Sequence, residues 1–380
     1  MSTGSHRVHF IDLLRGFAVV LMVIGHTVDS VLDLERRSTE WFEIYNFVRG
    51  FTAPAFLFVS GLAFAPATER KWNDYLSWSP ALRKRVRRVL LLFCIGYALH
   101  LPYFSLQKSL LAATADEIAG FLSVDVLQCI AACLLILHSV IITARTPAAF
   151  IRTIIGLTVV IVLSTPVVWA TDLSPALSPV LSPFVNDKPF SVFPLFPYAA
   201  FMFCGVITGH FFLRAATQDR AARYVVTLGI GSAVCATAGV MLDLLPATMY
   251  PEHDFWKTSP LFFLLRIAAV MQLTILFYFL RTMPGRVQTH LTTLGQSSLL
   301  IYSVHILFVY GSAANPGLFQ VVGQTQPVSV ALIAGVVMLT LMLLLAHGWD
   351  YLRSSHVAIS RYVQAGLASV VLYLFLLRPF

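Results

Sequence analysis

A polypeptide whose apolar runs repeatedly approach twenty residues can satisfy its backbone only as helices in a bilayer. About 20 helical residues cross about 30 Å of hydrocarbon, and lipid offers no hydrogen bonds. Eleven such runs follow one another here: Phe10–Leu32, Phe47–Ala67, Val89–Ser105, Val124–Thr143, Thr153–Ala170, Phe193–Leu213, Tyr224–Leu245, Pro260–Leu280, Leu291–Ser312, Val328–His347 and Val363–Leu377. The third, fifth and eleventh are short, so an all-α bundle of ten to eleven transmembrane helices is expected. Composition removes the alternatives. The chain is 58% hydrophobic and 12% charged, against about 25% charged in soluble domains. Disorder needs the opposite balance. No internal repeat or low-complexity tract interrupts the pattern, and one transmembrane domain over residues 1–380 is expected.

The charge is +8. In a soluble protein that would suggest nucleic acid, but here the basic residues sort by side. With the N-terminus in the cytosol, seventeen of the 26 Lys and Arg fall in cytosolic loops, six fall outside, and Arg15, Arg49 and Arg266 lie within spans. That bias fits cytosolic retention of positive loops and attraction to anionic lipid, so no nucleic-acid partner is expected. The first run, interrupted by Asp12 and Arg15, exceeds the about 7–15 residues of a signal h-region and reads as a retained span. Cys94, Cys129, Cys133, Cys204 and Cys235 all lie in apolar runs without a CxxC pair. Cys129 and Cys133 share a helix face as packing residues, and no metal is expected. Outside, Thr171–Val192 holds Pro175, Pro179, Pro183 and Pro189 and should be irregular. Tyr250–Trp256 (YPEHDFW) could face a glycan or the headgroups.

Ionisable residues inside spans cost about 2.5–3.5 kcal/mol each on insertion scales and mark function. In the first span Asp12, Arg15, His26 and Asp29 fall within about 100° of arc on a helical wheel. This stripe must face protein or water. Asp12 and Arg15 are i,i+3 neighbours, as are His26 and Asp29. A carboxylate beside an imidazole fixes its tautomer and suits it to general-base work. Arg15 and His26 are separated by about 16 Å along the axis, so Arg15 should lie near the cytosol and His26 beyond mid-membrane. Arg49 could neutralise Asp29 or grip a substrate. Asp125 and Gln128 open the fourth span, as cavity-lining groups or as a polar pair at a helix start. Tyr302 and His305, at i,i+3, could line a cavity or make an interhelical bond. Asp243 and Arg266 lie towards the ends of their spans, where pairing or snorkelling would suffice. The run Arg83–Arg88 (RKRVRR) supplies Arg83, Lys84, Arg87 and Arg88, either as a topology signal or as a polyanion site. No GxSxG elbow, Walker A loop or GxGxxG loop occurs, which argues against nucleotide hydrolysis.

The stretch IDLLRGFAVVLMVIGH, with Arg15 and His26, resembles the opening motif of the membrane acyltransferase-three superfamily. FVRGFTAPAFLFVSGLAF, with Arg49, Pro54, Phe58 and Gly61, resembles the second span of the heparan-α-glucosaminide N-acetyltransferase catalytic family and its bacterial homologues. So do DVLQCIAACLLIL, FPLFPYAAFMFCGVITG with Pro194 and Pro197, and LGQSSLLIYSVHI. The matches are scattered over about 300 residues in the family's order. The resemblance implies transfer of an acetyl group from cytosolic acetyl-CoA to a saccharide or glycan acceptor across the membrane. It also implies that His26 is catalytic, with Arg15 in the arginine–histidine motif. One departure stands out. The human-type branch has a Lys-His-Ala-Ser-Trp-Asn-Gly stretch in its first outer loop, with a histidine considered catalytic. Here that loop reads DLERRSTEWFEIYNFVRG, without histidine, so amino-sugar specificity is not carried over.

The expected mechanism has His26, oriented by Asp29, deprotonating the acceptor; an acetyl-histidine intermediate stays open. Asp12, Arg49, Asp125, Gln128, Tyr302 and His305 are candidate substrate-binding residues, and Arg83, Lys84, Arg87 and Arg88 candidate binders of the coenzyme A phosphates. A solute or ion transporter using the polar face of the first span is the rival reading. A membrane scaffold is a third, disfavoured by the buried charge. The lack of disulfide pairs and of an organelle-type luminal domain points to a bacterial inner membrane. Self-association as a homo-oligomer is left open.

Overall fold

A computed structural model describes residues 8–173, 176–188, 190–243, 250–282 and 285–378. Pro175, Pro189 and Leu245, used in the sequence reading, lie outside the described residues. In chain order the helices are α1 His9–Val31, α2 Glu40–Arg49, α3 Thr52–Glu69, α4 Pro80–Leu99, α5 Leu106–Leu111, α6 Ala115–Leu122, α7 Val126–Ala144, α8 Pro147–Ala170 and α9 Leu195–Thr217. They continue as α10 Ala221–Asp243, α11 Phe255–Thr258, α12 Pro260–Leu280, α13 Arg286–Gln296, α14 Ser298–Val309, α15 Leu318–Val321, α16 Val328–Ser355 and α17 Val357–Leu377. Among the described residues there is no strand, only two isolated bridges, one of which pairs Leu32 with Gln326.

The chain is a polytopic helical membrane protein. Nine stretches of helix among the described residues are long and apolar enough to cross a bilayer, or up to ten if one bent pair counts as a span. Nine of the eleven apolar runs fall on these nine stretches; Val89–Ser105, on α4, is not among them, and Leu291–Ser312 is the bent pair. Val89–Ser105 is shifted: α4 begins at Pro80, so the basic run forms its first turns, and Ser105 instead caps α5 by accepting from the Lys108 N–H. Leu291–Ser312 is broken: α13 and α14 meet at an angle of 80° around Ser297. The local sequence GQSS explains the break. Gly and Ser are weak helix formers and frequent kink sites, whereas average hydropathy runs through the bend unchanged.

The chain divides into two compact units, interleaved in sequence. Unit 1 is Met1–Thr52, Ala98–Phe121 and Arg281–Phe380; unit 2 is Ala53–Tyr97 and Leu122–Leu280. In unit 1, α1 packs against α13, α14 and α16. A Cβ on Gly16 would stand 1.9 Å from the Leu291 carbonyl oxygen, and one on Gly295 would stand 2.2 Å from that of Asp12. The α1 and α13 backbones therefore touch, the close approach that small residues permit between membrane helices. At the other end of α1, Val28, Val31, Leu32 and Ala331 form a buried cluster covered by Trp41, Phe42 and Tyr45. In unit 2 the same device joins α3 to α9. Gly61 lies under the Met202 carbonyl and Gly205 under that of Phe58.

Candidate active site

The polar stripe of α1 is turned inward, as its residue types require: Asp12 is 4% exposed and Asp29 9%. At the start of α1, an Arg15 nitrogen lies 3.4 Å from Asp12 Oδ1. Gln296, at the end of α13, donates to Asp12 Oδ2 at 3.5 Å. These groups belong to the packing of α1 on α13.

Seventeen residues along from Asp12, Asp29 forms an ion pair with Arg49. The Tyr45 hydroxyl donates to Asp29 Oδ1 at 3.3 Å and lies 3.1 Å from the Gly25 carbonyl. The Arg49 stem passes over Gly25, where a Cβ would meet its Cγ at 3.3 Å, so the lack of a side chain there admits the arginine against α1. The carbonyl of Asp29, near the end of α1 and outside its internal ladder, accepts from Arg37 at 2.7 Å and from Gln324 at 2.9 Å.

His26 meets His305 of α14. Its Nδ1 is 3.1 Å from His305 Nε2, and the rings stack with centroids 5.2 Å apart. Tyr310 stands edge-on to His26, with ring centroids 5.6 Å apart. His305 is fully buried, and its Nδ1 is 2.8 Å from the Ile301 carbonyl. The Tyr302 ring lies edge-on to it at 5.7 Å. Thus a base-capable imidazole, a second imidazole, three phenols and a carboxylate–guanidinium pair gather in unit 1. The sequence stripe had set Asp29 beside His26 as its orienting group; in the structure Asp29 is engaged by Arg49 and Tyr45, and His26 is engaged by His305. Spacing within one span could not reveal His305, which is 279 residues away. His305 was itself a sequence candidate, though not as the partner of His26; Tyr45 and Tyr310 were missed. Each is legible only after the fact, Tyr45 four before Arg49 and Tyr310 five after His305.

The remaining candidates lie in unit 2. Asp125 is the N-cap of α7, accepting from the Val126 N–H at 2.7 Å. Gln128 is 0% exposed and lies flat on α4, where a Cβ on Gly96 would meet its amide carbon at 2.7 Å. Among the described residues its amide has no hydrogen-bond partner. Arg83, Lys84, Arg87 and Arg88 are all exposed; at this spacing they share one face of α4. Arg85 points the other way, between the rings of Phe64 and Tyr75 at 4.5 and 4.0 Å. It bonds Thr68 Oγ1 at 2.8 Å and His138 Nε2 at 3.2 Å. Burial pulls its guanidinium down to about 10. Among the described residues no group of three or more potential metal ligands gathers.

No curated protein matches the chain at a significant level. A family model described as "Heparan-alpha-glucosaminide N-acetyltransferase, catalytic" matches residues 7–239, over half of the chain and including all of α1 through α9. This membrane protein belongs to the heparan-alpha-glucosaminide N-acetyltransferase catalytic family and is an acetyltransferase.

Proposed function

We propose that the chain transfers an acetyl group from cytosolic acetyl-CoA to a hydroxyl or amine of a saccharide on the extracytoplasmic side of a bacterial inner membrane. The observation that carries this reading is the placement of His26: half-buried on an inward-facing stripe, held by His305, and three residues before the Asp29 that pairs with Arg49. Family membership supports acetyl transfer and removes the ground for the transporter reading.

In this mechanism His26 accepts the proton of the acceptor O–H or N–H as that atom attacks the thioester carbonyl. The new C–O or C–N bond forms, the C–S bond breaks, and the imidazolium returns its proton to the departing thiolate. Arg49, with its charge partly offset by Asp29, is suited to lie near the developing oxyanion. Tyr45 and Tyr310 offer hydroxyls to a saccharide. Arg83, Lys84, Arg87 and Arg88 attract the phosphates of the donor, Arg being matched to phosphate in pairs of hydrogen bonds. Arg15, Asp12, Asp125, Gln128 and Tyr302 are assigned by proposal to support the site rather than to the chemistry. Direct transfer is preferred because it needs only one base; an acetyl-histidine path would place the same His26 at the thioester.

The test is incubation of membranes containing the protein with acetyl-labelled acetyl-CoA, followed by isolation of the labelled glycan. The variant His26→Ala should abolish labelling while the protein still elutes as a folded species in detergent. Undiminished labelling by that variant would remove His26 from the mechanism.

A further inference from the structure

The partners of His305 determine where the protons sit on both imidazoles. The Ile301 carbonyl can only accept, so His305 Nδ1, 2.8 Å away, carries a hydrogen. In the neutral ring Nε2 then bears the lone pair. That nitrogen lies 3.1 Å from His26 Nδ1, so His26 Nδ1 is the donor between them. A neutral His26 with its hydrogen on Nδ1 has its basic lone pair on Nε2. The bond to Ile301 spans one turn of α14, and His305 is fully buried with Tyr302 edge-on to it. Its ring is therefore confined and its acceptor nitrogen aimed.

We propose that His305 is a positioning residue that sets the tautomer of His26, a task given to a carboxylate in hydrolytic triads. Asp29, the carboxylate on the same helix, is occupied by Arg49 and Tyr45. As His26 Nε2 takes the acceptor proton, its Nδ1–H bond to His305 becomes charge-assisted, and His305 keeps its own proton on Nδ1. The imidazolium then faces a neutral ring backed by a carbonyl dipole. This proposal rests on His26 being the base, yet the tautomer can be read without turnover.

The experiment uses the full chain with 15N-labelled histidine in lipid nanodiscs, with His26 signals identified by their loss in His26→Asn. The expected wild-type spectrum has a protonated Nδ1 and an unprotonated Nε2 on His26. In His305→Gln, whose Oε1 can accept the same N–H, that pattern persists, and acetyl transfer from acetyl-CoA into the membrane glycan fraction stays within about tenfold of wild type. In His305→Leu the two tautomers mix, and the saturated rate falls about 100-fold with an unchanged KM for acetyl-CoA. A wild-type His26 protonated on Nε2 overturns the proposal, even if the Leu variant does not fold. So does a His305→Leu protein whose His26 tautomer is unaltered. Failure of the base assignment looks different: His26→Ala would keep transferring acetyl groups whatever the spectrum shows.

Discussion

Asp29 and Arg49 illustrate how a membrane protein keeps a charge pair near its site. The Asp29 side chain is 11% exposed and that of Arg49 39%. Removing one partner leaves the other poorly solvated, so Asp29→Asn should destabilise the protein by about 1–3 kcal/mol, less than for a fully buried pair. Thermal unfolding in detergent micelles checks this. The double variant Asp29→Asn with Arg49→Gln should recover part of the loss, and no recovery would mean that the two residues act independently. The inward stripe of Asp12, Arg15, His26 and Asp29 was legible in the sequence because helical periodicity is local. The partner of His26 was not, because the contact joins the first and a late helix. Gln128 was legible as buried and polar, but its flat packing on Gly96 depends on a helix that hydropathy alone does not align. Arg85 could not be told from its basic neighbours, since only the rings of Phe64 and Tyr75 separate its role from theirs.

Among the helices, α1 and α13 are held by glycines. Gly16→Ala or Gly295→Ala must push the two backbones apart and should destabilise by about 1–3 kcal/mol. By contrast, a Cβ at Gly156 in α8 meets nothing within 4 Å. Gly156→Ala should be neutral or stabilising by up to about 1 kcal/mol. Equal losses at both sites would contradict the close approach. The α6 start has a different device. Thr114 and Glu117 bond each other's backbone N–H in a capping box, and Tyr103 donates to Glu117 at 2.7 Å. The Thr114 N–H, followed by Tyr103, holds the Glu117 carboxyl below its ordinary value of 4.5. A depressed carboxyl stabilises the fold above the unfolded value and loses that contribution as pH falls through the folded one. Hydrogen exchange of α6 amides, corrected for intrinsic rates, should therefore show less protection at pH about 3 than at pH about 6; equal protection would exclude the cap as a source of order. The membrane helices themselves were legible from length and apolarity. The bend at Ser297 was not, because a scan for apolar runs has no term for direction.

For the whole molecule, the exposed basic face of α4 carries a proposed use. If Arg83, Lys84, Arg87 and Arg88 receive the donor's phosphates, replacing all four by Gln should raise KM for acetyl-CoA while the saturated rate holds. It should also flatten the dependence of KM on salt, since these exposed charges act through a screened field. An unchanged KM would leave the run as a topology signal alone. Reporter fusions at Met1 and in the 33–39 loop check the orientation, with the first expected in the cytosol and the second outside. The division into two units was not legible at all. Each draws on separated segments of the chain, and the regular succession of apolar runs carries no mark of which runs will pack together.

The kink between α13 and α14 has a bearing on evolution and engineering. One arm is pinned to Asp12 and Gly16, the other carries His305, so the ten residues from Gln296 to His305 work as a fixed gauge. One alanine inserted after Leu300 would rotate His305 by about 100° and advance it by about 1.5 Å, swinging the second imidazole off the first without touching either ring. The same insertion after Gly323, beyond the gauge, would leave the two rings in register. Homologous chains that keep both histidines should therefore tolerate length changes on one side of His305 and not on the other.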